Sequence, residues 1–343
     1  MKKKILGLAL IAVLAFSLAA CKNQADQSSS GEDTNVKKVR LGFPGASNFI
    51  FGLGGIAQEK KFLDEELDKI GYKLEYVPFA AAGPAVNEAL AGKQIDIAIY
   101  ADFPGVVLKS KGVNIDLVGI TENKFHSMIV VKNDSSIKSA AELKGKKIGF
   151  TKGTYMHKNL LEILAANGLS ADDVELVNVT SDAESALVSG NVDAIVQTQT
   201  DSLIIANTKK TGTILESTKN YPNLSAQVIF VGAHDYLEKN PDVAIAVNKA
   251  LLRAKKFIRE NPQEAYQILT KSGLNIDSVK EIYADEAPEF DLFTIGINED
   301  SIRKLEETQS FLREEGLITE GFNTSEWIDN SYYEKAAEEF EGI

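Results

Sequence analysis

Short apolar runs rich in β-branched residues alternate with amphipathic stretches over most of the chain. The runs predict strands over 38–43, 73–79, 95–100, 115–120, 127–131, 147–151, 174–179 and 192–197. The stretches at 51–70 and 155–167 repeat their apolar residues with a helical period, and Gly168 is the expected stop of the second. Alternation of this kind indicates an α/β protein, with mainly parallel sheets covered by helices.

One short pattern occurs twice. EALAGKQIDI at 88–97 and ESALVSGNVDA at 184–194 each predict a helix end, a glycine stop and a strand that opens with a hydrophobic–Asp pair. The pattern indicates two homologous lobes, although two βαβ units can also resemble each other by chance. Beyond residue 233 the chain is nearly all helical in pattern, and it is too polar to form its own core. We expect this tail to cover the lobes with helices at 241–261, 262–272, 277–286, 299–315 and 326–340.

The N-terminus predicts export and a lipid anchor. Three lysines precede an uncharged run of 16 residues at 5–20, which is shorter than the roughly 20 residues of a spanning helix. The run ends in Leu-Ala-Ala-Cys, which resembles the bacterial lipobox and implies cleavage before Cys21 and lipid attachment to its thiol. We therefore predict a signal peptide at 1–20, a flexible polar tether at 21–37 and a lipid-anchored protein on the extracytoplasmic face of the cell membrane. The alternative is an ordinary signal with a chance cysteine.

Composition excludes several classes of function. Acids outnumber bases 49 to 37, and loss of residues 1–20 with their three lysines changes the net charge from −12 to −15. Such a charge disfavours a nucleic-acid partner. The single cysteine excludes a disulfide framework, and the three histidines are widely separated, so no metal and no cofactor is expected. A GxGxxA match at 52–57 follows its strand by about nine residues, so the tight turn of a dinucleotide site is missing.

The candidate site lies in four loops that follow predicted strands, at 44–48, 81–84, 101–104 and 152–155. In parallel α/β sheets such loops meet at the carboxyl edge, where ligands bind. The composition of each loop, taken alone, is explained more simply by a helix cap or a turn. Together they predict six ligand contacts, Ser47, Asn48, Gly83, Asp102, Thr154 and Tyr155, and predicted strand ends add Tyr100 and Gln197.

These residues have distinct expected roles. Helices that start at Pro84 and Tyr155 would offer backbone N–H groups to an anionic head, and Thr154 would add a hydroxyl. Tyr100 would form an aromatic wall. Asp102 would either cap the helix that follows it or pair with an amine of the ligand.

Two segments of the sequence resemble a known protein family. They are AAGPAVNEALAGKQIDIAIYADFP at 81–104 and the stretch 143–195, which begins LKGKKIGFTKGTY and ends VSGNVDAI. Both are similar to lobe signatures of the extracytoplasmic nitrate, sulfonate and taurine-type solute-binding proteins, and the resemblance spans about 38–235. It implies a type II periplasmic-binding-protein fold, with two α/β lobes joined by two hinge crossovers. We expect lobe one at 38–122 plus 230–343, with the helical tail, and lobe two at 123–229.

The resemblance also implies a function. We expect a monomeric lipoprotein, not an enzyme, that captures a small anionic or zwitterionic solute and delivers it to an ABC permease and its ATPase. An aliphatic sulfonate, taurine or a nitrate-like anion would fit the family. Where relatives often have an aromatic-rich segment, this chain has IVQTQTD at 195–201, so Gln197 would contact a polar group of the ligand. A thiamine-pyrimidine-like or other polar heterocycle, a ligand-sensing lipoprotein without transport, and an enzyme on this fold are the alternatives.

Overall fold

The computed structural model describes residues 37–221, 224–285 and 292–340. The predicted signal peptide, the lipid attachment at Cys21 and the predicted tether up to residue 36 lie outside the described residues. Lys37, the last residue of the predicted tether, begins the first strand.

The strands of the described residues form two five-stranded sheets. They are β1 (Lys37–Pro44), β2 (Tyr72–Phe79), β3 (Ile97–Ala101), β4 (Ile115–Phe125), β5 (Ser127–Val131), β6 (Lys147–Phe150), β7 (Glu175–Asn178), β8 (Ala194–Thr198), β9 (Thr213–Ser217) and β10 (Ala226–Ala233). The first sheet has the order β2-β1-β3-β10-β4, and the second has the order β7-β6-β8-β5-β9.

The two sheets have the same internal arrangement. In the first, β1 pairs in parallel with β2 and β3, whereas β10 is antiparallel to β3 and β4. In the second, β6 is parallel to β7 and β8, and β5 is antiparallel to β8 and β9. The chain leaves the first sheet after β4 and returns to it only with β10. The lobe boundaries themselves stay a prediction.

Helices cover both sheets. They are α1 (Gly52–Glu59), α2 (Phe62–Lys69), α3 (Ala82–Ala91), α4 (Asp102–Ser110), α5 (Tyr155–Ala166), α6 (Ala183–Ser189), α7 (Gln199–Leu203), α8 (His234–Lys239), α9 (Pro241–Glu260), α10 (Pro262–Leu269), α11 (Ile276–Lys280), α12 (Glu299–Glu314), α13 (Thr324–Trp327) and α14 (Ser331–Glu339). None of the helices in the described part of the chain is both long and apolar enough to cross a membrane.

The C-terminal helices pack on the first sheet, as the amphipathic pattern predicts. Helix α9 buries one face, on which Val243, Val247 and Leu251 follow one another at intervals of four residues and have no exposed surface. Burial of each such side chain stabilises the fold by about 1.5–3 kcal/mol. Helices α9, α13 and α14 contact β4, and α12 contacts β10, so the tail supports the strands that connect the two sheets.

Candidate functional site

A cavity of about 420 Å³ lies where the strand ends of the two sheets meet. Residues that follow β1, β2 and β3 line it from the first sheet, and residues at the ends of β6, β7 and β8 line it from the second. All six are carboxyl ends of strands in or beside the parallel half of a sheet, where ligands bind in such folds. The volume falls within the roughly 300–1,000 Å³ of small-molecule sites.

The structure brings five of the eight predicted contacts to this cavity. They are Gly83, Tyr100, Thr154, Tyr155 and Gln197. The other three, Ser47, Asn48 and Asp102, are not among the residues that line it. Whether any of the eight touches a ligand stays a prediction.

The start of α3 reaches the cavity because Gly83 has no side chain. A Cβ atom at Gly83 would lie 2.4 Å from Cγ of Pro104, so a larger residue would push α3 away from α4. The preceding Ala82 has a φ of 59°, in the left-handed region that is costly for a residue with a side chain. The close approach therefore comes with local backbone strain at the cavity wall.

The start of α5 lies opposite. Thr154 occupies its N-cap position and is 3% exposed. Its hydroxyl donates to the carbonyl of Thr151 at 2.8 Å and does not cap the helix. The first turn of α5 therefore has no side-chain cap, and a helix start without a cap is suited to an anion.

The loop after β1 faces the cavity with its backbone and turns its last polar side chains outward. Pro44, Gly45 and Ala46 line the cavity, whereas Ser47 and Asn48 are exposed. The carbonyl of Asn48 accepts from Nε2 of Gln58 at 2.9 Å, and Oε1 of Gln58 accepts from the N–H of Ile50 at 3.0 Å. These bonds hold the loop against α1.

Asp102 lies in the first turn of α4 rather than at its N-cap, which is Ala101. Its carboxyl is 1% exposed. Burial raises the pKa of Asp102 to about 6, although the charge of Lys158 and the backbone N–H of Phe103 act in the opposite direction. A negative charge in the first turn interacts favourably with the positive end of the helix dipole, so Asp102 can stabilise α4. Whether it also contacts a ligand stays a prediction.

The aromatic surface of the cavity includes other rings besides the predicted Tyr100. Tyr100 is 1% exposed, and its hydroxyl would lie 3.4 Å from a Cβ atom built at Gly105, so its ring extends beneath α4. Phe125 and Tyr155 instead form a tilted aromatic pair with ring centroids 5.1 Å apart. The Tyr155 hydroxyl donates to the carbonyl of His126 at 3.4 Å. This pair adds to the aromatic lining, and a role of Tyr100 as an aromatic wall stays a prediction.

Glu122 is a cavity residue that the sequence analysis missed. It is 6% exposed, lines the cavity and makes no hydrogen bond or ion pair with the described residues. Burial raises its pKa from 4.5 to about 8. The sequence feature that could have identified it is a glutamate directly after an apolar run, but the predicted strand ended at residue 120.

Three further charged residues line the cavity from the second sheet's side. Lys209 forms an ion pair with Glu184, which also accepts from the hydroxyl of Thr211 at 2.8 Å. Asp201 accepts from Oγ1 of Thr198 at 2.8 Å, and burial raises its pKa. The described charged residues of the lining are therefore three acids and one base, and the base is already paired.

The rest of the lining is mostly apolar, and one amide in it is unsatisfied. Nε2 of Gln197 is buried without a hydrogen-bond partner among the described residues. No group of three or more histidine, cysteine, aspartate or glutamate residues is arranged to hold a metal in the part of the chain that the structure describes. The site can hold an organic solute by apolar contact and a few polar groups, as small-molecule sites do.

Comparison with known proteins agrees with this arrangement. The family model described as NMT1/THI5 like matches residues 52–265. A Bacillus subtilis (strain 168) protein with the provisional name aliphatic sulfonates-binding protein is 25% identical over 336 residues, which cover 97% of each chain. The match confirms the family resemblance seen in the sequence.

Two solved structures of the same fold have different functions. The periplasmic aliphatic sulphonate binding protein SsuA from Escherichia coli has a TM-score of 0.68 and 25% identity, over 87% of this chain and 99% of that chain. The desulfurization enzyme DSZB has a TM-score of 0.69 at 16% identity, over 88% of this chain and 99% of that chain. The predicted periplasmic-binding-protein fold is confirmed, and enzymes share it.

Proposed function

The chain belongs to the NMT1/THI5-like family, and from this premise we propose that it is an extracytoplasmic solute-binding protein of an ABC importer. It captures a small anionic or zwitterionic solute and delivers it to the permease and the ATPase. It acts as a monomer that is anchored by lipid at Cys21, and it does not transform its ligand.

The observation that carries the proposal is the cavity between the strand ends of the two sheets. A solute there touches residues of both sheets, and the chain connects the sheets through the β4–β5 crossover and the segment before β10. A ligand that contacts both sides stabilises the arrangement in which they are close. A permease can then distinguish the loaded protein from the empty one.

The polar ends of the cavity support an anionic group on the solute. The starts of α3 and α5 both reach it, and the Thr154 hydroxyl, which here donates to the carbonyl of Thr151, can rotate to donate to an anion. A polar heterocycle is the second candidate. The unsatisfied amide of Gln197 and the ring pair of Phe125 and Tyr155 favour it.

Thr154→Ala tests the anionic group. The solute that co-purifies with the protein is first identified by mass spectrometry, and its affinity is then measured by calorimetry on protein stripped of ligand. We expect Thr154→Ala to weaken binding roughly 10- to 150-fold, which is the effect of losing a hydrogen bond to a charged group.

The matched control is Ser189→Ala, at the far end of α6 and exposed, which should leave the affinity unchanged. Equal affinity of the wild type and Thr154→Ala would refute the anion site. Chemical conversion of the solute during the incubation would instead favour the enzyme alternative.

A further inference from the structure

Glu122 is 6% exposed, lines the cavity and makes no hydrogen bond or ion pair with the described residues. It lies in β4 opposite Val228 of β10, on the strand that leaves the first sheet. Both Glu122 and Val228 line the cavity. A buried carboxylate without a hydrogen bond or a countercharge is costly, so proteins rarely keep one unless it meets a partner.

The described residues around Glu122 leave room for its carboxyl group but supply neither a hydrogen-bond donor nor a positive charge to it. A Cβ atom at Gly52 would lie 2.8 Å from Oε2 of Glu122 and 3.4 Å from the ring of Phe293. Gly52 also has a φ of +61°, so glycine is favoured there on two counts. Tyr155 and Tyr283 lie close enough for the charge of Glu122 to affect their pKa values. A packing role alone would be better filled by an apolar side chain.

The charges of the lining disfavour a simple anion once Glu122 is ionised. Glu122, Glu184 and Asp201 are its acids, and the single described base, Lys209, pairs with Glu184. A monoanion in this cavity would meet excess negative charge as soon as Glu122 ionised. A solute with a nitrogen at the Glu122 end would instead supply the missing partner.

The apolar walls of the cavity favour a solute with an apolar organic part. Phe43, Phe51 and Met156 line it together with the ring pair of Phe125 and Tyr155. Apolar and aromatic walls gain by removing apolar ligand surface from water. An inorganic oxyanion has no such surface to offer.

From these observations we infer that the solute is an organic molecule whose cationic or N–H-bearing nitrogen binds the carboxylate of Glu122 while its apolar body contacts Phe125 and Tyr155. This inference rests on the proposed function and narrows the class of ligand. The anionic group, where present, lies at the starts of α3 and α5, so the solute is a zwitterion or an amino-substituted heterocycle.

Paired probes that differ in one nitrogen test the inference. The pairs are taurine against ethanesulfonate, and 4-(aminomethyl)benzenesulfonate against 4-methylbenzenesulfonate, titrated by calorimetry into ligand-stripped protein. In the wild type we expect the amine of at least one pair to strengthen binding roughly 10- to 150-fold. Glu122→Gln should reduce that advantage to less than about threefold, because an amide cannot supply the charge.

The control is Glu75→Gln, an exposed glutamate on β2 of the same sheet, which should keep the full advantage of the amine. If Glu122→Gln does not fold, the same pairs are compared in the wild type at pH 6 and pH 8, where the amines stay largely protonated, and the advantage should grow with ionisation of the carboxyl group. Binding of the amine-free members with equal strength overturns the inference and leaves the proposed function standing. Failure of all four probes, and of any co-purifying solute, to bind the folded protein overturns both.

Discussion

At the scale of single residues, the protonation of Glu122 makes the stability of the ligand-free protein depend on pH. Burial raises the pKa of Glu122 from 4.5 to about 8. Between these two pH values the folded protein keeps a proton on Glu122 that the unfolded chain has already released. The stabilisation that protonated Glu122 gives the folded state is fully present below pH 4.5 and is lost as the pH rises through about 8.

We therefore expect the free energy of unfolding to fall between pH 6.5 and 8.5 by up to about 1.4 kcal/mol per pH unit. Urea unfolding at several pH values measures it. This window lies above the pKa of about 6 for Asp102 and about 4 for His126. Asp116 raises the pKa of His234 in all three proteins, which adds a slope of the same sign. Glu122→Gln should therefore lose the part of the slope that comes from Glu122, and Glu75→Gln should retain it. The same slope in all three proteins would contradict the raised pKa that burial gives Glu122.

The residues of the site could be predicted from sequence only where local rules apply. Gly83, Thr154 and Tyr155 follow predicted strands and begin helices, and such positions meet at a sheet edge. The same rule placed Ser47 and Asn48 near the site, but it cannot say which way a loop turns its side chains. Glu122 comes from a crossover strand, and only the tertiary fold brings that strand to the cavity.

At the scale of secondary-structure elements, α12 connects the tail to both crossovers between the sheets. Nζ of Lys304 donates to the carbonyl of Asn123, near the end of β4, and to Oγ of Ser225, just before β10, at 3.4 Å. The side chain is mostly buried, and burial lowers the pKa of Lys304. One lysine of the tail therefore holds the two chain segments about which the sheets would have to move.

We expect Lys304→Met to lower the free energy of unfolding by about 1–3 kcal/mol, because it leaves the carbonyl of Asn123 without a partner. The neighbouring Arg303 is exposed and pairs with Asp300 and Glu307 on its own helix. Arg303→Met should therefore cost only about 0–1 kcal/mol. Chemical denaturation of the two variants makes the comparison, and equal losses would rule out the proposed connection.

Helices and strands could be predicted where the hydrophobic periodicity is strong, but the points at which a helix is interrupted could not. The stretch 51–70 reads as one helix by period, yet the chain forms α1 and α2, with a break at Lys61, whose φ is 60°. Strand β9 was not predicted, because its five residues include a glutamate and two hydroxyl residues. Its place in the second sheet comes from pairing with β5, which no local pattern shows.

At the scale of the whole molecule, the discontinuous first sheet supports the proposed lobes, 38–122 with 230–343 and 123–229. Four strands of the first sheet precede the second sheet in sequence, and β10 follows it. A chain that crosses twice between lobes can bend at both crossovers together, which is the basis of hinge closure around a ligand. The repeat at 88–97 and 184–194 predicted two similar lobes, and each copy leads into a central parallel strand. The discontinuous order and the two crossovers were implied by the family resemblance.

The proposed anchor at Cys21 belongs to this scale as well. We expect Cys21→Ala to appear in the culture medium or as an unprocessed precursor, since the thiol that would carry the lipid is gone. Fractionation of cells followed by mass measurement distinguishes the outcomes. A Cys21→Ala protein that remains membrane-bound at its mature mass would show that the anchor is not at this residue.

The most direct test of the central claim, that the cavity between the sheets holds the solute, is a titration of a blocked cavity. Thr180 is exposed at the mouth of the cavity and lines it, so Thr180→Trp places a large ring there without disturbing the core. Asn191→Trp adds the same ring at an exposed position that is not part of the lining. We predict one solute bound per chain in the wild type and in Asn191→Trp, and at least tenfold weaker binding in Thr180→Trp, an energy change of about 1.4 kcal/mol or more. Unchanged affinity in a folded Thr180→Trp protein would mean that the solute binds elsewhere.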